Sequence, residues 1–281
     1  DSSFDAHFFK EGFVGVSFFF VLSGFIIAYN YQEKLLEKTA TKRTFWVARL
    51  ARIYPLHLLT LLIAVCIGGY VQYSGTADWI KHFAASTFLL QPFFPSADYF
   101  FSFNSPSWSL GCEQLFYLLF PFLVLLFYKK QRLVGVLLVC AVLVPTLMSL
   151  TDEANIRGYW YVNPLARFPD FLVGMLLYRA YGWCRFKQLS FSTASLLEVG
   201  AVCIFLLFYM VSEDLVPKVY RYSCYYWIPI SLVLLIFSLQ KGFFSRILSN
   251  KYLVIGGDIS YSFYLIHLWV ILAYVEVAQT Y

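Results

Sequence analysis

The sequence predicts an all-α, polytopic transmembrane helix bundle with eight clear spans and a possible ninth. Three observations carry this. Hydrophobic residues make up 60% of the 281 positions and charged residues only 13%, too few to cover a wetted surface of this size. The mean hydropathy is +0.67, and 30 Phe and 22 Tyr add apolar bulk that water would not tolerate. The charges also fall between long apolar runs instead of alternating with them.

A helix needs about 20 apolar residues to cross the hydrocarbon core. Four runs, 12–32, 53–77, 133–151 and 222–240, carry no charge at all. Four more spans carry charge inside or at one end: 109–128 with Glu113, 163–178 with Arg167 and Asp170, 194–212 with Glu198, and 254–275 with Asp258. The ninth stretch, 83–94, is short and ends among Pro92 and Pro95. It fits a span, a re-entrant segment or an interfacial helix.

Lysine and arginine placement orients the eight spans. Alternate connections hold Lys34, Lys38, Lys42, Arg43, Arg49 and Arg52, then Lys129, Lys130 and Arg132, then Arg179, Arg185 and Lys187, then Lys241, Arg246 and Lys251. These are 15 of the 21 basic residues, so this side is expected in the cytoplasm, with the protein multi-pass in the cytoplasmic (inner) membrane. The net charge of +5 has the same source, and nucleic acid is not an expected partner. No internal repeat or linker divides the chain, so 1–281 reads as one membrane domain. Six scattered cysteines with no C-x-x-C pair read as small buried hydrophobes, and no metal site is expected. The first seven residues lack a basic or apolar signal region and read as a loop.

The spans alone suit a transporter, a channel or a membrane enzyme. Five blocks discriminate. Gly15-Val-Ser-Phe-Phe-Phe-Val-Leu-Ser-Gly-Phe25 comes first, followed by Arg49-Leu-Ala-Arg52-Ile-Tyr-Pro55 and Trp108-Ser-Leu-Gly-Cys-Glu113-Gln-Leu-Phe-Tyr117. Then come Arg167-Phe-Pro-Asp-Phe-Leu-Val-Gly174 and Ile259-Ser-Tyr-Ser-Phe-Tyr-Leu-Ile-His267. In order and spacing they resemble the signatures of integral-membrane acyltransferase family 3, which O-acylates cell-surface glycans. The resemblance implies an acetyl or short acyl group moved from cytoplasmic acyl-coenzyme A, the donor substrate, to a hydroxyl of a polysaccharide or lipid-linked sugar. Gly111 and Gln114 depart from the family's serine and second acidic residue. The family's main catalytic histidine ends a helix upstream of the first block, and only 14 residues precede Gly15 here. The domain is therefore expected to be N-terminally incomplete. The rival readings are a transporter or flippase of glycan or acyl intermediates, and a non-catalytic family member.

Residue chemistry adds roles. Arg49 and Arg52 share one helical face, where two guanidinium forks suit the diphosphate of acyl-coenzyme A or, more simply, lipid phosphate. Ser109, Glu113 and Tyr117 stack at i, i+4, i+8, and an ionisable residue at membrane depth is a functional candidate. Glu113 is a candidate catalytic residue, positioned to orient an imidazole or bind the acceptor. Its structural alternative is a pair with Arg167, which Asp170 would otherwise neutralise. Ser260, Tyr264 and His267 form a polar stripe on the last helix, with His267 a second catalytic candidate. Trp108, Ser109, Tyr117, Arg167, Ser260 and Tyr264 are the expected substrate-binding residues. His57 and His82 lack a motif, and His7 lies too close to Gly15 to be the family's histidine.

Overall fold

The computed structural model describes residues 11–67 and 73–280, and among them there is no strand. The helices are α1 (Val14–Leu36), α2 (Lys42–Ile67), α3 (Thr76–Thr87), α4 (Ala97–Phe100), α5 (Trp108–Leu126) and α6 (Lys130–Ser149). They continue with α7 (Pro164–Cys184), α8 (Phe191–Leu215), α9 (Lys218–Arg221), α10 (Trp227–Ser238), α11 (Phe243–Leu248) and α12 (Lys251–Thr280).

The bundle is built around α1 and α7, which touch backbone to backbone. A Cβ on Gly24 would run into the Phe171 carbonyl, and one on Gly174 would lie 2.7 Å from the Phe25 nitrogen and 2.9 Å from the Gly24 Cα. Between apolar helices in lipid there is little hydrophobic gain, so close packing at small residues supplies the association. On one side, α5 joins through stacked and edge-on rings: Phe20 to Phe116 at 5.3 Å and Phe116 to Phe171 at 4.9 Å. On the other, Tyr209, Tyr226, Ile230 and Leu234 of the α8–α10 region pack on Val21 and Phe25. Helix α2 covers α5, with the Trp46 indole donating to the Tyr117 carbonyl at 3.1 Å. Helix α12 lies against α2 and the 105–107 turn, and all its residues from Lys251 to Ser260 are exposed.

Among the described residues, six helices are long and apolar enough to cross a membrane, which does not confirm the expected eight: Val14–Leu36, Lys42–Ile67, Ser105–Leu126, Lys130–Ser149, Phe191–Leu215 and Lys251–Val275. Helix α7 has 21 residues, long enough by length, but Arg167 and Asp170 lower its apolarity. The 222–240 run narrows to Cys224–Ser238 because its first residues are drawn into a polar network. The Tyr222 carbonyl accepts from Ser17 Oγ at 3.1 Å and from Arg167, and Ser223 Oγ donates to Asp170 at 2.7 Å. The expected 53–77 span instead begins at Lys42, so Arg49 and Arg52 lie within the helix.

The 83–94 stretch forms no helix long enough to cross a membrane. It is the end of the 12-residue α3 followed by a tight turn, and 12 residues reach only about 18 Å. The turn dips in beside α5, with Leu89 and Gln91 fully buried, and returns through 97–107. Its seat explains both departures from the family blocks. A Cβ on Gly111 would meet Pro92 Cγ at 2.5 Å and the Leu89 carbonyl oxygen at 2.6 Å. Gln114 accepts from the Tyr54 hydroxyl at 3.0 Å and donates to the Phe88 carbonyl at 3.2 Å, and a carboxylate lacks that donor.

The basic connections gather at one end of the bundle. Arg179 donates to the carbonyls of Phe127 and Tyr128, and Lys241 to those of Arg185 and Lys187. Lys42 sits 4.2 Å over the Phe122 ring and Lys130 3.7 Å over Trp183. At the opposite end, buried Glu11 pairs with Arg221 and accepts from the Tyr226 hydroxyl at 2.9 Å.

Candidate active site

Between α1, α2, α5 and α12 lies a cavity of about 700 Å³. It collects much of what the sequence singles out. Arg49 and Arg52 from α2, Ser109, Glu113 and Tyr117 from α5, and Ser260 and Tyr264 from α12 all line it. One turn of α5 separates each of Ser109, Glu113 and Tyr117, so their side chains emerge on one face. The 105–107 turn sets where that face begins. The Pro106 carbonyl accepts from Ser109 Oγ and from the Tyr264 hydroxyl, both at 3.1 Å, which ties the start of α5 to α12. Tyr261 fastens α12 on its other flank by donating to the Ile53 carbonyl at 2.9 Å.

Glu113 is buried, and its Oε1 accepts from the Tyr117 hydroxyl at 2.8 Å and from Ser23 Oγ at 3.0 Å. Among the described residues no protein donor reaches Oε2, and none makes an ion pair with this carboxylate. The expected alternative, a bond to Arg167, does not form. Arg49 and Arg52 act on Glu113 only at electrostatic range. Arg49 is half-buried, held by a 3.2 Å bond to the Tyr31 hydroxyl with its guanidinium 5.1 Å over that ring. Arg52 is exposed toward the cavity and has no hydrogen-bond partner among the described residues. The site thus combines two guanidinium groups, one carboxylate oxygen left available, and a set of hydroxyls on apolar walls.

Three expected site residues lie elsewhere. Trp108 is a core side chain, packed 4.8 Å from Tyr161 and edge-on to Phe20. Arg167 is fully buried, bound to Asp170 at 2.9 Å and to Ser17 at 2.7 Å, a closed network with no access to the cavity. His267 is exposed outside the cavity lining, its Nδ1 donating to the Tyr264 carbonyl one turn back at 2.5 Å. The polar stripe on α12 therefore divides. Ser260 and Tyr264 line the cavity, whose lining on α12 runs from Val254 to Tyr264, and His267 lies three residues beyond it. His57 and His82 meet the backbone at Ser86 and Asp78, and His7 lies outside the described residues. Ser23, Asp258 and Tyr261 join the site although sequence reasoning assigned them no role. Ser23 sits inside a block quoted for its resemblance, but a serine in an apolar run does not reveal which helix it will face.

A family model described as an acyltransferase domain matches residues 8–278. Acyltransferase MdmB of Streptomyces mycarofaciens is 28% identical, the match covering 92% of this chain and 68% of that protein. The peptidoglycan O-acetyltransferase OatA of Listeria monocytogenes is 29% identical over 92% of this chain, which spans only 44% of its length. No solved structure matches significantly. With all but a few terminal residues inside the matched region, the chain belongs to the membrane acyltransferase-domain family that its five sequence blocks resemble.

Proposed function

We propose that the protein is a membrane-bound O-acyltransferase that moves an acetyl or short acyl group from acyl-coenzyme A to a hydroxyl of a polysaccharide or lipid-linked sugar. The observation that carries this reading is the single cavity lined both by Arg49 and Arg52 and by Glu113 with its hydroxyl neighbours. Guanidinium forks suit the donor's phosphates, and a carboxylate beside hydroxyls suits an alcohol acceptor. The acceptor class draws support from the similarity to a peptidoglycan O-acetyltransferase.

In this reading the acceptor oxygen attacks the thioester carbonyl. A carbon–oxygen bond forms, the carbon–sulfur bond breaks, and the thiolate leaves with the proton given up by the hydroxyl. Glu113 Oε2 receives the acceptor's hydrogen bond, directly or through an imidazole, and draws its proton off. The basic end of the bundle faces the cytoplasm, where acyl-coenzyme A is available, and α7 and α10 complete eight crossings of the cytoplasmic membrane.

The test uses membranes carrying the protein from its complete reading frame, labelled acetyl-coenzyme A, and chito-oligosaccharides or peptidoglycan fragments as acceptors. Alkali-labile label on a glycan is the expected result. Arg49→Ala with Arg52→Ala should raise the KM for acetyl-coenzyme A more than that for glycan, and the Lys versions should rescue in part because an ammonium lacks the planar fork. Label carried across the membrane with no ester on any glycan would replace the reading with transport.

A further inference from the structure

We propose that Ser23 is a positioning residue for acyl transfer, holding Glu113 from a second helix so that one carboxylate oxygen stays aimed at the acceptor; this rests on the role given to Glu113 above. Glu113 has two donors, and both act on Oε1: Tyr117 at 2.8 Å and Ser23 at 3.0 Å. Tyr117 lies one turn away on the same helix, so alone it leaves the carboxylate free to swing about the axis of α5. A donor from α1 removes that freedom, because the two bonds approach from different elements. Neither donor neutralises the charge, as a guanidinium at 3 Å would, and neither occupies Oε2.

The placement of Ser23 is itself fixed. Its neighbour Gly24 lies against the Phe171 carbonyl and Gly174, a close backbone contact between α1 and α7, so Ser23 cannot shift along α1 without a backbone collision. Ser23 is buried, lines the cavity, and lies against the Tyr117 hydroxyl as well as Glu113 Oε1.

In the acetyl-coenzyme A assay, Ser23→Ala should lower kcat about tenfold, within the range of a lost charge-assisted hydrogen bond, and leave the donor KM unchanged. Ser23→Thr keeps the hydroxyl and should recover most of the rate. In a Glu113→Asp background the shortened carboxylate withdraws from Ser23, so adding Ser23→Ala should cost less than about twofold more. Wild-type kcat in Ser23→Ala, or the same fold loss in both backgrounds, overturns the proposal and leaves the Glu113 reading intact. Near-full activity in Glu113→Gln overturns that reading instead. Should Ser23→Ala fail to accumulate in membranes, Ser23→Cys keeps the volume, weakens the donor, and is held to the same pattern.

Discussion

Two carboxylates lie deep in neighbouring apolar helices, and their surroundings differ in kind. Asp170 on α7 is bound to Arg167 at 2.9 Å and accepts from Ser223 and the Trp227 indole, while Arg167 continues to Ser17 and the Tyr222 carbonyl. Every member of that network is fixed by another, and neither Arg167 nor Asp170 lines the cavity. Glu113 on α5 has neutral hydroxyl donors on one oxygen, no ion pair, and a cavity of about 700 Å³ beside it. A buried charge that is neutralised and enclosed joins helices together. One that is held in place, left without an ion pair and given room can act on a ligand. Glu198 belongs with Asp170: it caps α11 through the amides of Phe244 and Ser245, and Gly242 leaves it just enough room.

The comparison breaks most easily at Asp170. Asp170→Ala leaves Arg167 buried and unpaired, and the expected loss is about 3–5 kcal/mol, read as lower membrane levels and an earlier thermal transition in detergent. A stable Asp170→Ala protein that no longer transfers acyl groups would put Asp170 in the site and end the distinction. Glu113→Gln should show the opposite pattern, with membrane level and thermal transition kept and acyl transfer down by about 10²–10⁴. Misfolding of that variant would make Glu113 another fold element.

A smaller effect sharpens how the two regions are joined. Gly24→Ala forces α1 away from α7 and carries Ser23 with it, so about 1–3 kcal/mol of stability should be lost along with part of kcat. Loss of stability with kcat intact would separate the helix contact from the site. The smallest effect is expected at Gln114→Glu, which places a second carboxylate on α5 but off the cavity, against the Phe88 carbonyl. It should cost about 1 kcal/mol and leave the KM for acetyl-coenzyme A unchanged. A changed donor KM would show that the 88–92 turn reaches the donor.

Much of the helical framework is legible in the chain as letters. Uncharged runs near 20 residues mark three of the six span-length helices, and Pro92 and Pro95 already bar an unbroken helix across 83–94. Where the reading misses, a side chain's partner lies on another helix. Nothing in 222–240 says that Tyr222 and Ser223 will be spent on Ser17, Arg167 and Asp170, and so delay α10. For the site, Glu113, Tyr117, Ser109, Arg49 and Arg52 are legible because they are polar where polarity is costly. Trp108 and Arg167 are equally conspicuous, and folding turns them into core.

The sequence by itself determines that this protein lives in lipid, that its basic connections alternate, and that its polar residues fall on particular faces of helices. Those follow from composition and from periods of a few residues, which are local. Only the tertiary structure decides which polar faces meet: that α1 brings Ser23 to Glu113, that Arg167 is satisfied by Asp170, and that the cavity takes in Tyr264 but not His267. In lipid, apolar faces are nearly interchangeable and give little guidance about helix order. The decision rests instead on close contacts at Gly24 and Gly174 and on the pairing of the few polar groups, both properties of residues far apart in the chain.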